Sequence, residues 1–438
     1  MLFHNPVFLF LFLPIVFTLY FYTSKYSKFR YEYVLIVAGI FFYAWFNIYL
    51  SPLIIVSIIC NFIFGNLIRN STQIIFKKKI LFIAIFFNIL YLSFFKYSDF
   101  VIQNINYLFN SNIQMLNLPF PLAISFFTFQ TIAYLVDCYD GNIKKTNLAQ
   151  YSLFIIFFPQ LIAGPIVRYN YMMPQFNDEK NRFINRKNLT LGLILILIGL
   201  FKKIILADNL AILVNSGFEN YQNLEFFGSW LTSLCFTFQI YFDFSGYLDI
   251  ATGVALLFNI RLPQNFDSPY KATSIINFWQ RWHITLTNFC MNYIYFPWIK
   301  SLKNINFLNA MMVTFFVFII VGIWHGPSWL FVIFGGWHGA GLIINHSFKK
   351  LFQFEINKYV GWFLTFNYVN LSLIFFRSNT LDNSISIIKG MSGLNGFSFP
   401  IFFEDKIYII LILLISILIS FAFKNTKYLL ENFRMENK

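Results

Sequence analysis

The chain has 438 residues, of which 58% are hydrophobic and 11% charged. A soluble domain carries about 25% charged residues, so this composition excludes a water-exposed globule and calls for lipid as solvent. The net charge of +14 does not point to nucleic acid, because the basic residues fall in the gaps between apolar runs.

A spanning helix needs about 20 mostly apolar residues. In chain order, such runs are predicted at 6–22, 34–50, 52–68, 80–97, 118–138, 188–206, 228–258, 305–323, 328–346, 360–377 and 407–423. The first lacks a basic segment before it and a small-residue cleavage site after it. Lys25, Lys28 and Arg30 follow it instead, so a retained crossing is expected rather than a signal peptide. The fold class is therefore an all-α polytopic membrane protein with about eleven crossings, in one domain over 1–438.

Orientation follows from charge. With the N-terminus outside, the inner connections are 24–33, 65–79, 139–150, 168–187, 259–304, 347–359 and 424–438. They hold 26 of the 32 Lys and Arg residues. The outer connections 98–117 and 207–227 hold none, and 378–406 holds Lys389 and Lys406. The positive-inside rule then places the N-terminus outside and the C-terminus inside, as expected for a cytoplasmic (inner) membrane. Attraction to anionic membrane lipid is a by-product of the same charges.

Two segments depart from simple crossings. Residues 151–167 are apolar, yet both flanks are basic, and Pro159, Gly164 and Pro165 would break a helix there. A re-entrant hairpin fits both facts, since non-helical backbone at membrane depth needs protein or a wet cavity around it; a kinked crossing is the other reading. Residues 228–258 are too long for one straight crossing, and a bend or partial re-entry is expected near Gly246. The connection 259–304, rich in Trp, Arg and Pro, reads as an interfacial lobe with amphipathic pieces.

The abundant Phe (62 residues), Ile, Asn and Lys read as compositional drift. Cys60, Cys138, Cys235 and Cys290 form no CxxC pair, so neither a disulfide framework nor a metal site is signalled.

Ionisable residues within a membrane are costly, at about 2.5–3.5 kcal/mol each on insertion scales, and are functional candidates. His325 lies in Gly322-Ile323-Trp324-His325-Gly326-Pro327-Ser328-Trp329, a turn joining two apolar runs with almost no loop. A histidine there can serve as a neutral base near physiological pH or cap a helix end. His283 lies in Phe278-Trp279-Gln280-Arg281-Trp282-His283-Ile284-Thr285. Its aromatic flanks suit an interfacial anchor, the reading that composition favours. Asp243, Ser245 and Asp249, with Gln239 upstream, line a cavity or cap a broken helix. His338, in Gly335-Gly336-Trp337-His338-Gly339, suits a packed, hydrogen-bonded role.

Five stretches carry a resemblance: Pro119–Gly141, Phe157–Tyr169 (FFPQLIAGPIVRY), Gln239–Gly253 (QIYFDFSGYLDIATG), Phe278–Thr287 (FWQRWHITLT) and Gly322–Gly339 (GIWHGPSWLFVIFGGWHG). In order and spacing the chain resembles the membrane-bound O-acyltransferases, in the bacterial branch that includes alginate and peptidoglycan O-acetyltransferases. The resemblance spans a core at 119–339, with N-terminal helices in 1–118 and C-terminal helices in 340–438. It implies a helical bundle around a transmembrane tunnel, with His325 at the family's catalytic histidine position and His283 at its second position. Gln239, Asp243, Ser245, Gln280, Arg281, Trp282 and Trp324 are the candidate substrate-binding residues. One stretch departs from the pattern. Thr287-Asn288-Phe289-Cys290-Met291-Asn292-Tyr293 lacks the Arg and Asp of relatives, which bears on the donor-docking contacts.

The resulting expectation is an O-acetyltransferase. It would take an acetyl group from a cytoplasmic thioester, acetyl-CoA or an acyl carrier, for a cell-wall or extracellular polysaccharide, peptidoglycan first. An extracytoplasmic acetyltransferase is the expected partner, and no cofactor or nucleic acid is. His325 would take the acceptor hydroxyl's proton, while His283 would orient the thioester or polarise its carbonyl. Two rivals share these residues: D-alanyl transfer to teichoic acid from a carrier protein, and a transporter or flippase.

Overall fold

Helices form where the apolar runs predict them, and their ends are set by short polar residues. In the computed structural model, residues 2–26, 30–352, 356–398, 403 and 407–433 are described. The helices are α1 Leu13–Tyr26, α2 Arg30–Ala44, α3 Ser51–Asn70, α4 Ile74–Phe109, α5 Ile124–Tyr139, α6 Leu148–Ile156, α7 Phe158–Leu161, α8 Tyr169–Asn177, α9 Arg186–Leu200 and α10 Asp208–Glu219. They continue with α11 Phe226–Leu257, α12 Ile275–Trp279, α13 Ile284–Cys290, α14 Phe296–Ser301, α15 Phe307–His325, α16 Trp329–Leu351, α17 Lys358–Arg377, α18 Leu381–Met391, α19 Ile407–Ala422 and α20 Thr426–Asn432. Among the described residues there is no β-strand.

Asparagine does more here than drift explains. The side chains of Asn47, Asn147, Asn306, Asn357 and Asn425 each accept a backbone N–H in the first turn of a helix. These are the donors a helix start leaves unsatisfied.

Among the described residues, seven helical stretches are long and apolar enough to cross a membrane, or eight if the pair Tyr408–Ala422 and Thr426–Asn432, bent by 42°, counts as one. Eleven were expected. The shortfall has physical causes: Tyr31–Ala44 is a short apolar helix, α5 has only 16 residues, and α16 carries four glycines, two histidines and two lysines before Leu351 that dilute its apolar character.

Two expectations about individual segments change. Residues 207–227 are not a plain loop, because a π-helical stretch Phe201–Ala207 carries α9 directly into α10. The break near Gly246 is absent, since α11 runs 32 residues without interruption; at about 1.5 Å per residue it is longer than a bilayer core is thick. It ends where Asn259 takes a left-handed φ of 62°, a conformation Asn tolerates at helix C-termini. The segment 151–167 does break as its prolines predict. α6 stops at Phe157, α7 is one turn, and extended chain follows to Arg168. All of it is buried except Ser152 and Ala163, which are half-buried.

The described chain groups into two units. One contains Met1–Leu197 and Leu248–Pro263, the other Ile198–Tyr247 and Gln264–Phe433. In the first, the broken segment packs into an aromatic cluster: Phe158 meets Phe8, Phe12 and Phe42 at centroid distances of 5.3–6.3 Å. Asn61 and Asn88 exchange carboxamide hydrogen bonds of 3.1 and 2.6 Å between α3 and α4, a way of joining helices where no water competes. Arg168 closes the segment on Asp137 at 2.8 Å. The second unit contains every histidine except His4.

Candidate active site

The site is built on the hairpin of α15 and α16, with only Gly326, Pro327 and Ser328 between the two helices. The Ser328 hydroxyl caps α16 by accepting the Leu330 N–H. The hairpin closes tightly because a Cβ on Gly322 would meet the Phe331 carbonyl and lie 3.1 Å from the Gly335 Cα. Backbone therefore packs on backbone, and His325 is fixed at the tip.

His325 is half-buried among aromatic rings. Trp324 and Phe376 each lie 5.0 Å from its centroid, Phe334 5.7 Å and Phe331 6.3 Å.

His283 enters the same neighbourhood from the lobe between α11 and α15. It is 2% exposed, and its ring meets Phe244 of α11 at 5.0 Å and Trp324 at 6.1 Å. One indole thus touches both motif histidines, whose centroids lie no further apart than 11.1 Å, the sum of 6.1 and 5.0 Å. Trp279, Trp282 and His283 are all buried, so the interfacial-anchor reading of this stretch does not hold. The rings fill a protein core in place of a membrane surface. Burial drives the His283 imidazole far below its usual pKa, with its own backbone carbonyl offsetting part of the effect.

The backbone at His283 is unusual: φ is 45° and ψ 50°, a left-handed conformation that costs a non-glycine residue about 1–2 kcal/mol. Asn265 holds it there. The Asn265 carbonyl accepts the Ile284 N–H at 3.0 Å. Its side-chain Oδ1 accepts the Thr285 N–H and hydroxyl, each at 2.9 Å, and lies 3.3 Å from His283 Nδ1.

The other predicted residues divide. Arg281 donates through Nε to Asn277 Oδ1 at 3.1 Å and through Nη1 to the Asp267 carbonyl at 3.0 Å. Asp267 is bonded in turn to Lys427 and Asn425, each at 2.8 Å, so Arg281 shapes the lobe. Trp282 fills the core against Phe266 and Phe278, at 4.9 and 5.6 Å. Gln280 is exposed. Asp243 pairs with Lys203 at 2.5 Å, and Lys203 also reaches Asp208 at 2.9 Å. By helical periodicity Gln239 and Asp243 share one face of α11, roughly opposite the face of Tyr241 and Phe244 that meets the lobe. Gln239 Oε1 and Ser245 Oγ are buried without a hydrogen-bond partner among the described residues. The structure therefore gathers His325, His283 and Trp324, and sets Asp243 and Gln239 on another face.

His338 is the packed histidine that its glycine-rich setting suggests. Trp279 Nε1–H donates to its Nδ1 at 3.2 Å. An indole can only donate, so the neutral ring carries its proton on Nε2. That proton goes to Ser372 Oγ at 2.9 Å, and the Ser372 hydroxyl passes its own to the Val369 carbonyl at 2.6 Å. Asn265, Phe244, Phe334 and Phe376 are parts of the site that sequence reading misses. No spacing marks them, since each is tied to a histidine only through the fold.

Comparison with known proteins settles the class. The family model of membrane-bound O-acyltransferases matches residues 141–381, a stretch that includes both motif histidines. This chain belongs to the membrane-bound O-acyltransferase family. It is a membrane O-acetyltransferase of that family, and the transporter alternative is set aside. The peptidoglycan O-acetyltransferase of Helicobacter pylori is 40% identical over 428 residues, covering 91% of this chain and 81% of that protein. A Pseudomonas aeruginosa protein named "Probable alginate O-acetylase AlgI" is 32% identical over 89% of this chain and 75% of its own length. The teichoic acid D-alanyltransferase of Streptococcus thermophilus is 27% identical over 58% of this chain and 68% of its own.

Proposed function

We propose that this O-acyltransferase takes an acetyl group from a thioester on the cytoplasmic side, acetyl-CoA, and delivers it for O-acetylation of peptidoglycan outside, through an extracytoplasmic acetyltransferase partner. The observation that carries the reading is the shared contact of His325 and His283 with Trp324, which brings two aromatic-walled imidazoles of the family motifs together, His283 buried and His325 half-buried. The 40% identical relative is named as a peptidoglycan O-acetyltransferase, which supports peptidoglycan over other polymers.

In this reading the acceptor hydroxyl attacks the thioester carbonyl carbon. His325 takes the hydroxyl proton. A new C–O bond forms, the C–S bond breaks, and the proton ends on the departing thiol. General-base catalysis of this kind is typically worth about 10²–10⁴ in rate. His283 lies on the lobe and acts on the donor. With the N-terminus outside, the lobe faces the cytoplasm and its basic residues attract the phosphates of CoA.

The test is ester analysis of purified peptidoglycan from a strain lacking this protein, complemented with the unsubstituted chain or with His325→Ala. Acetyl esters should vanish, return with the unsubstituted chain and stay absent with the variant. Unchanged peptidoglycan acetylation with loss of D-alanyl esters would favour the teichoic-acid reading. Full restoration by folded His325→Ala would end the catalytic assignment.

A further inference from the structure

Asn265 lies in a loop that no motif reading singled out, yet it is 4% exposed and grips the chain on the C-terminal side of His283. A backbone N–H can only donate. Because the Thr285 N–H points at the Asn265 side chain at 2.9 Å, the receiving atom is the carboxamide oxygen, and the amide orientation is fixed. The same oxygen lies 3.3 Å from His283 Nδ1. An oxygen with no proton cannot donate, so this contact is made only if Nδ1 carries one.

We infer that Asn265 is a positioning residue that locks His283 in its Nδ1–H tautomer and leaves Nε2 as a lone pair. The inference rests on the proposed acyl transfer for its purpose and refines the role of His283 in it. A lone pair at Nε2 accepts a hydrogen bond or a proton. It cannot donate one to a thioester carbonyl. Of the two roles open to His283, polarising the carbonyl is thereby ruled out. Holding the donor remains, by accepting an amide N–H of the pantetheine arm that carries the acyl thioester. The contrast with His338 is instructive, since the Trp279 indole forces that ring into the opposite tautomer.

Three features make the lock firm. The left-handed turn at His283 (φ 45°) is held by three bonds to Asn265 from Ile284 and Thr285, so the backbone that carries the ring is tied to the carboxamide. The rings against the imidazole, Phe244 and Trp324, do not titrate; His325 lies beyond Trp324. Arg281, two residues before, directs its guanidinium to Asn277 and Asp267. Asn265 Nδ2, meanwhile, is buried with no hydrogen-bond partner among the described residues. A carboxamide kept at that cost of about 1–3 kcal/mol is retained for its oxygen.

The tautomer can be read without turnover. Full-length protein labelled with ¹³C,¹⁵N-histidine is placed in lipid and examined by solid-state NMR, with His283 assigned from its loss in His283→Gln. The expected state is Nδ1–H, changing to Nε2–H or a mixture in Asn265→Ala. Asn265→Asp keeps an acceptor oxygen and should keep Nδ1–H. Its negative charge favours the imidazolium, so the acid limb of acetyl transfer should move to higher pH, while Asn265→Ala should lose about tenfold or more in kcat. An Nε2–H tautomer in the unsubstituted protein overturns the inference, as does an unchanged tautomer and pH profile in folded Asn265→Ala. If Asn265→Ala does not fold, the unsubstituted protein and Asn265→Asp decide. Absence of acetyl transfer by the unsubstituted protein would count against the proposed function, and the tautomer result would stand apart from it.

Discussion

The imidazole of His283 and the indole of Trp324 meet edge-on, with ring centroids 6.1 Å apart and planes inclined by 67°. Trp324 immediately precedes His325, whose ring it touches at 5.0 Å. The side chain that separates the two histidines is therefore also the one that spaces them.

Trp324→Ala should remove that spacer. Truncating a buried Trp typically costs about 3–5 kcal/mol of stability, and transfer should fall about tenfold or more even in the fraction that stays folded. Trp324→Phe keeps a ring and should retain most activity. Thermal melting and steady-state acetyl transfer in nanodiscs check both variants. Equal activity of Trp324→Ala and unsubstituted protein would show that the histidines do not depend on the indole.

The buried His283 should make the lobe acid-sensitive. Its pKa is depressed in the folded protein by burial, against about 6.5 in the unfolded chain. The unfolded state then binds the extra proton first. The stability this neutral ring allows is fully present above about pH 6.5 and is lost as pH falls toward the folded value, at about 1.4 kcal/mol per pH unit. His283→Gln should flatten that dependence. Melting temperature measured between pH 7 and pH 4.5 tests the slope, and parallel curves for the two proteins would contradict it.

His338→Phe should leave the Trp279 indole N–H and the Ser372 hydroxyl without their present partner. Each buried group so stranded costs about 1–3 kcal/mol. The melting temperature should drop, while the pH optimum of transfer stays put, because His338 spends both nitrogens on structure. A shifted pH optimum would mean that His338 titrates during turnover.

Gly164→Leu should disable the broken segment. A Cβ there would overlap the backbone of Gln160, and forcing side chains into a filled core costs typically 1–3 kcal/mol. Transfer should be lost while the protein still reaches the membrane, as judged by fractionation. Normal turnover by this variant would show that the segment tolerates a shift of its backbone.

Sidedness is tested by labelling single cysteines. Those placed at Asn112 and Asn220 should react with an impermeant maleimide from outside, and those at Lys78 and Lys180 should not. Labelling at Lys180 would place 151–167 as a full crossing.

The apolar runs and the family motifs were legible because lipid demands long uniform stretches and because a Gly-Pro-Ser turn can hardly be anything but a hairpin tip. The setting of His325 marked it as a candidate, base or helix cap, and the resemblance supplied the catalytic position. The fate of the Trp-rich lobe was not. Trp279 and Trp282 have the same composition whether they face lipid headgroups or fill a core, and only the three-dimensional packing against Phe266, Phe278 and His338 decides it. Gly246 misled for a related reason, since glycine is as useful inside a helix that passes close to another as it is in a break. Asn265 was invisible because its importance lies in one oxygen, placed by a loop some 18 residues upstream of the histidine it serves.

The direct backbone contact at Gly322 and Gly335 has a mechanical corollary. At that crossing no side chain separates the two helices, so there is nothing to compress and no rotamer to exchange, and the hairpin near its tip responds to load as a single bar. His325 at its tip and His338 further along it cannot be re-aimed independently.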